Sequence, residues 1–317
     1  MSSPPPAKSA RQRRPVHRCP RGLHRGVART PCGSLQGKLS ALKASDLAGV
    51  AIKAKDVEEL ILGHVISAGA GQAPAKQAAV SAGLPQSVVC STVNKVCASG
   101  MKAMILGAQS IMLGLRDVVV VGGMESMSQA PHLSKKARSG ARYGDLVFSD
   151  ALQTDGLFDA FENIPMGILQ RSVLASTISR EAQDTYAAQS YRHGNGGRGG
   201  CDEAGGCGVV SKLRPCFKPS GDFGPTVTAG NASPISDGAA ALVLMSLAKA
   251  NTLGLSSKIQ AIVRGFGEAE QEPRSFTTSP ALAIPKALEM AGVEQDDVDF
   301  FEINEAFSVV ACANRSY

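Results

Sequence analysis

From Ala28 onward the chain alternates two textures: continuous apolar runs of strand length, and stretches whose apolar residues recur at helical spacing. "ALKASDLAGVAIKAK" predicts a first helix, with Ser45 and Asp46 near its start and Leu47, Val50 and Ala51 on its apolar face. "VEELILGHVIS" predicts a strand. "GQAPAKQAAVSAG" predicts a second helix with Pro74 in its first turn, where a missing N–H leaves no bond unmade. "SVVCSTVNKV" then predicts a strand, residues 98 to 114 a helix, and "DVVVVGGMESMS" another strand. The strand-like runs are apolar throughout instead of alternating, which predicts strands covered by helices on both faces. The fold class that follows is a layered α/β sheet.

Between residue 130 and about 190 the texture breaks. "PHLSKKARSGARYGD" is basic and turn-rich, and "REAQDTYAAQSY" predicts a helix. Residues 194–208 carry eight glycines and almost nothing to bury, so ordering them costs entropy with little return. Regular texture resumes with "PTVTAGNASPISDGAAALVLMS", a polar loop feeding a buried strand. "KIQAIVRGFGEA" predicts the start of a strand, "ALAIPKALEMAG" a helix, and "VDFFEINEAFSVVACAN" a strand running into a helix. The order is α/β, loop-rich insert, α/β.

Composition narrows the function. The chain has 317 residues, 44 % apolar and 19 % charged, enough for two compact domains or one large one. No apolar run approaches bilayer-spanning length, so no membrane role is expected. The net charge of +6 is local: residues 1–45 hold ten Lys and Arg and no acid, and the rest carries 23 basic against 27 acidic residues. The body therefore offers no nucleic-acid footprint. The Ser-, Pro- and Arg-rich start fits an organellar transit peptide by composition, and equally a disordered or wrongly assembled tail, leaving the compartment cytoplasmic or organellar (mitochondrion or peroxisome). Eight scattered cysteines predict no disulfide framework. No Cys-x-x-Cys occurs, and the five histidines stand at no ligand spacing. Asn231 and Asn314 match the glycosylation pattern by chance.

One cysteine stands apart. Cys97 lies where "STVNKV" gives way to helical periodicity, and Ser99 and Gly100 allow a crowded turn there. A helix start favours a thiolate, and the thiolate is the nucleophile. On the residues alone a packed cysteine fits the position as well, because the local pattern names no partner base.

"VNKVCASGMKA" and "VVVVGGMESMS" resemble the signature of the thiolases, in particular the acetoacetyl-CoA (biosynthetic) class. "GVARTPCGSLQGKLS", "GQAPAKQAA", "TVTAGNASPISDGAAALVL" and "FEINEAFSVVA" match the same family in the same order, from Val27 to Asn314, with plant and algal members most alike. The resemblance implies a thiolase-like five-layered α-β-α-β-α fold of two similar halves. Residues 27–129 and 213–250 would form the first half, 130–212 an inserted loop domain, 251–317 an incomplete second half, and 1–26 a basic tail. It implies ping-pong acetyl transfer between acetyl-CoA molecules, with Cys97 as nucleophile and an acetyl-cysteine intermediate. Asn304 would orient an oxyanion-hole water. Tyr191 and Ser233 would contact CoA, and Met124 would line the pocket floor, although a core position suits it equally. Ala229, Gly230 and Ala232 match backbone groups that hold potassium in some members, with Gly230 in place of an alanine. No other cofactor is implied. Acetyl-CoA, acetoacetyl-CoA and CoA would be its small-molecule partners, and a homodimer or homotetramer its assembly.

The pattern also breaks. "PVHRCPRGLHRG" stands where the family has its first apolar strand, "ILQRSVLAST" replaces a small-residue helix, and the Gly-rich stretch replaces a longer CoA-gripping segment. The family's Gly-His-Pro motif, with the base for Cys97, and its Cys-x-Gly motif, which deprotonates the second acetyl-CoA, occur nowhere in these 317 residues. These departures imply turnover slower than an intact thiolase. They keep open a catalytically impaired thiolase-like subunit, an acyl-CoA-binding relative, and a 3-ketoacyl-CoA thiolase of broader chain length.

Overall fold

The computed structural model describes residues 22–52, 54, 56–140, 142–169, 177–194, 210–217 and 226–315. Most of the basic tail, nearly all of the Gly-rich stretch and most of "ILQRSVLAST" lie outside the described residues.

The predicted elements form in order: β3 (Glu59–Gly63), β4 (Val89–Val93), β5 (Val118–Ser126) and β8 (Ser236–Ser246), with helices α1 (Ala44–Ala51), α2 (Pro74–Ser81) and α3 (Ser99–Met112). Two further strands, β1 (Gly22–Arg29) and β9 (Ala261–Val263), complete the ladder β4-β3-β5-β8-β1-β9, and β2 (Gly33–Ser34) adds to β8. β4, β3 and β5 run parallel, while β8 is antiparallel to both β5 and β1. β5 shows why this sheet holds. Its pleat sends Val120 and Met124 towards α1 and α2, and Val119 and Val121 towards α3, so both faces bury apolar area. Leu60, Leu62, Val119, Val121 and Leu244 retain no surface at all.

Several expectations shift. Strand β1 begins at Gly22, within the segment whose sequence lacks an apolar run, because backbone bonding to β8 on one side and β9 on the other holds it extended. β4 is not covered: Val89, Ser91 and Thr92 are exposed at the sheet edge. Val50 is 62 % exposed, since the buried stripe of α1 is Ala44, Leu47, Ala48 and Ala51, and Val50 falls off it. Residues 298–306 form no strand. Among the described residues they have no neighbouring strand with which to exchange backbone bonds, and Phe300 stays exposed.

The insert contributes a short hairpin, β6 (His132–Leu133) with β7 (Ser149–Asp150), then α4 (Met166–Leu169) and α5 (Arg180–Gly194). After β8 come α6 (Leu247–Thr252), α7 (Ser279–Ala291) and α8 (Ser308–Asn314). The second half thus supplies β9 and two helices but no sheet of its own among the described residues. Gly265 and Gly267 press the segment after β9 onto α7; an added Cβ on either would meet its backbone at 2.6 Å. Phe266 packs from this segment into the cluster beneath α3. Asn314 joins α8 to α7: its side chain donates to Thr277 O and accepts from Ala281 N. No described helix is long and apolar enough to cross a membrane.

Candidate active site

The carboxyl ends of β3, β4 and β5 all open at one edge of the sheet, the position where open α/β sheets place ligands. Cys97 stands there, in the turn from β4 to α3. The turn is built locally. Asn94 Oδ1 accepts from Val96 N at 2.9 Å, and Ser99 Oγ accepts from Lys95 N at 2.8 Å while donating to Val96 O. Together they force Val96 to φ +48°, a left-handed conformation that a β-branched residue adopts only under constraint. Strain of this kind concentrates where a side chain must be presented.

Three glycines let the start of α3 rest directly on the sheet. A Cβ at Gly63 would lie 2.6–2.7 Å from the backbone of Ser99 and Gly100, and Gly123 approaches the Cα of Gly100 from β5. Gly63→Ala should therefore push the Cys97 turn off the sheet. The expected cost is about 1–3 kcal/mol of stability, with slower modification of Cys97. Urea denaturation and mass-spectrometric labelling check the two effects; an unperturbed variant would mean that the contact relaxes freely.

Cys97 itself is exposed and sits one residue before Ala98, the N-cap of α3. The helix start was expected to favour the thiolate. Instead, the protein packed around the sulfur pushes the thiol above its ordinary value, Glu125 adds to the rise, and a backbone hydrogen bond at Cys97 opposes it. Glu125, which the sequence did not single out, is the charged group acting on this thiol. The pleat of β5 turns it to the α3 side, opposite Met124, where its carboxylate accepts from Val65 N and Ile66 N. His64, buried, holds Nε2 3.3 Å from Glu125, while its Nδ1 has no hydrogen-bond partner, so it does not engage the thiol. With the thiol pKa raised, alkylation of Cys97 should climb with pH and keep climbing beyond the ordinary thiol value. A pH–rate profile of iodoacetamide labelling checks this, and a plateau below that value would contradict it.

A second cluster gathers the remaining residues. The loop at 228–233 folds on itself, with Asn231 Oδ1 accepting from Thr228 N at 2.8 Å and Thr228 Oγ1 from Gly230 N at 3.3 Å. Asn231 Nδ2 donates to Asp184 Oδ1 of α5 at 2.8 Å, and Arg180 Nε donates to Oδ2 of the same carboxylate. Both matches to the glycosylation pattern, Asn231 and Asn314, are thus buried, hydrogen-bonded side chains. The loop meets the "NEAF" turn: Ala232 bridges Phe307, Ala306 O accepts from Ser233 N at 3.0 Å, and Asn231 O accepts from Ser308 N at 2.9 Å. Ala229, Gly230, Ala232 and Ser233 therefore lie in one loop against the turn that carries Asn304, which is exposed.

Neighbouring Glu305 accepts from Tyr186 and Ser190 of α5. Burial first, and then Glu305, push Tyr186 up to about 12. The loop leads directly into β8, whose start pairs with the carboxyl end of β5, so the cluster opens at the same sheet edge as Cys97. Tyr191 is exposed on α5. Met124 is 3 % exposed and packs into the core beneath α1 and α2. A separate cavity of about 410 Å³, lined by Tyr186, Ile284, Pro285, Phe301 and Ile303 among others, contains none of the catalytic, CoA-binding or potassium residues expected from sequence.

Residues 26–197 and 208–248 match the profile described as "Thiolase, N-terminal domain", and residues 257–316 match "Thiolase, C-terminal domain". The chain belongs to the thiolase family. Thiolases act on CoA thioesters. Similar proteins include acetyl-CoA acetyltransferase 2 of Arabidopsis thaliana, 49 % identical over 92 % of this chain and 80 % of that protein. The acetyl-CoA acetyltransferase of Schizosaccharomyces pombe is 47 % identical over 91 % of this chain and 81 % of its own length. That of Saccharomyces cerevisiae is 45 % identical over the same shares. In this thiolase, then, the strained turn before α3 and the loop that meets "NEAF" are the two built features at the site edge.

Proposed function

We propose that the chain is an acetyl-CoA C-acetyltransferase, condensing two acetyl-CoA to acetoacetyl-CoA and running reversibly towards thiolysis. The observation that carries this reading is the Cys97 turn, a strained, hydrogen-bonded presentation of one cysteine at the ligand edge of the sheet. Cys97 Sγ attacks the thioester carbonyl, the C–S bond to CoA breaks, and CoA leaves with the proton the thiol gives up. The acetyl group stays on Cys97. A methyl C–H bond of a second acetyl-CoA breaks, its proton passing to solvent, and the carbanion attacks this acetyl carbonyl; the acetyl–Sγ bond breaks, acetoacetyl-CoA leaves, and the Cys97 thiolate takes up a proton from solvent. Asn304, beside the loop of Ser233, is assigned to orient a water at the second thioester carbonyl. Ser233 and Tyr191 are assigned to CoA.

Potassium is proposed at the backbone carbonyls of Ala229, Gly230 and Ala232. A set of neutral oxygens in a tight, hydrogen-bonded loop suits a hard monovalent cation, whose charge would rigidify the wall beside Ser233. The uncovered edge of β4, with Val89 47 % exposed, supports pairing with a second copy in a homodimer or homotetramer. The basic start supports an organellar address as one reading of the compartment, which a reporter fusion tests.

Incubation with acetyl-CoA followed by peptide mapping tests the function. Acetyl on Cys97 and thiolysis of acetoacetyl-CoA in preference to longer 3-ketoacyl-CoAs are expected. Acyl-CoA binding without any cysteine adduct would favour the binding-protein reading instead.

A further inference from the structure

Two cations flank the nucleophile in sequence, and neither is directed at it. Lys95 stands two residues before Cys97. Lys102 stands five after, at the fourth position of α3, and Cys97 occupies the position just outside the N-cap. Apolar side chains at these two helix positions often meet across the first turn, so Lys102 stands within reach of the Cys97 side of the helix. Here both ammonium groups converge on one carboxylate 166 and 173 residues away: Lys102 Nζ lies 2.7 Å from Glu268 Oε2 and Lys95 Nζ 2.8 Å from Oε1. Glu270 adds a second contact to Lys95 at 3.3 Å. Glu268 lies after β9, where its own carbonyl accepts from Lys286 of α7 at 2.9 Å. One side chain of the second half therefore ties together the Cys97 turn, the start of α3 and, through its backbone, α7.

We propose that Glu268 is a positioning residue for the two lysines beside Cys97 and thereby restrains the reactivity of its thiol. It draws Lys95 and Lys102 away from the Cys97 thiol and so keeps the resting thiol protonated. Glu125 on β5 is then the charged group that raises the thiol, and His64 is paired with Glu125. Glu268 is held below the usual carboxylate range by Lys102 and Lys95, and Lys95 is raised by Glu268, so the cluster is fully charged at neutral pH. The inference rests on the reading of Cys97 as nucleophile, but its test does not require acetyl transfer.

Glu268→Gln keeps the shape and removes the charge. Iodoacetamide, a neutral probe, is applied to the full chain across a pH series, and labelling of the Cys97 peptide is followed by mass spectrometry. With the cations released, the midpoint of the profile should fall and the rate at neutral pH should rise roughly three- to thirtyfold. Adding Lys95→Gln and Lys102→Gln to Glu268→Gln should return the rate to the parent value. A profile unchanged in Glu268→Gln, or a gain that survives in the triple variant, overturns the proposal, the second because it would mark loosened packing and not charge. The double variant Lys95→Gln/Lys102→Gln gives an independent reading should Glu268→Gln fail to fold. With both cations already drawn off the thiol by Glu268, their removal should leave the labelling rate within about twofold of the parent value, and a larger change in either direction overturns the proposal.

Discussion

Replacing Cys97 by serine should abolish acetyl transfer to the protein, with acetoacetyl-CoA thiolysis falling roughly a thousandfold or more. The change exchanges one sulfur for an oxygen and should leave the fold intact. The turn is held by Asn94, Ser99 and the backbone, not by the thiol. An alcohol ionises far less readily than a thiol, and here even the thiol is pushed up by the protein packed around the sulfur and by Glu125. Peptide mapping after incubation with acetyl-CoA, beside a thermal melt, separates chemistry from folding. An acetyl adduct on Cys32, Cys90, Cys216 or Cys312 that persists in Cys97→Ser would remove the nucleophile assignment.

Asn231→Ala should be the most damaging single change at the second cluster, costing about 2–4 kcal/mol. Its side chain, 3 % exposed, accepts from Thr228 N and donates to Asp184 and to Thr226 O. Truncation leaves a buried amide N–H and one oxygen of a buried carboxylate without their partner, so desolvation is no longer offset. The loop of Ala229 to Ser233 would also lose its anchor to α5, and affinity for CoA should weaken in parallel. Urea denaturation with an unchanged m-value measures the first effect and titration with CoA the second. A loss below about 0.5 kcal/mol would show that water replaces the amide without penalty.

Apolar patterning alone determined the central elements. β3, β5, β8 and helices α1 to α3 each bury a face that their periodicity announces, because burial of apolar area dominates where both sides of a strand are covered. The position of Cys97 at the junction of strand and helix was likewise legible, since a turn chemistry of Asn94 and Ser99 is written within a few residues. What depends on partners distant in sequence was not. β1 gains its strand from β8 and β9, and residues 298–306 lack a neighbouring strand among the described residues, although the first carries little apolar signal and the second a good deal. The chemistry at the thiol follows the same division. A helix start predicts a favoured thiolate, but the pleat of β5 aims Glu125 to the α3 side, and Glu268 removes Lys95 and Lys102 from across the sequence. Local hydrogen bonds and hydrophobic period act over a few residues and can be read in order. Coulombic and desolvation effects depend on which side chains the folded chain brings within a few ångströms, and only the tertiary structure decides that.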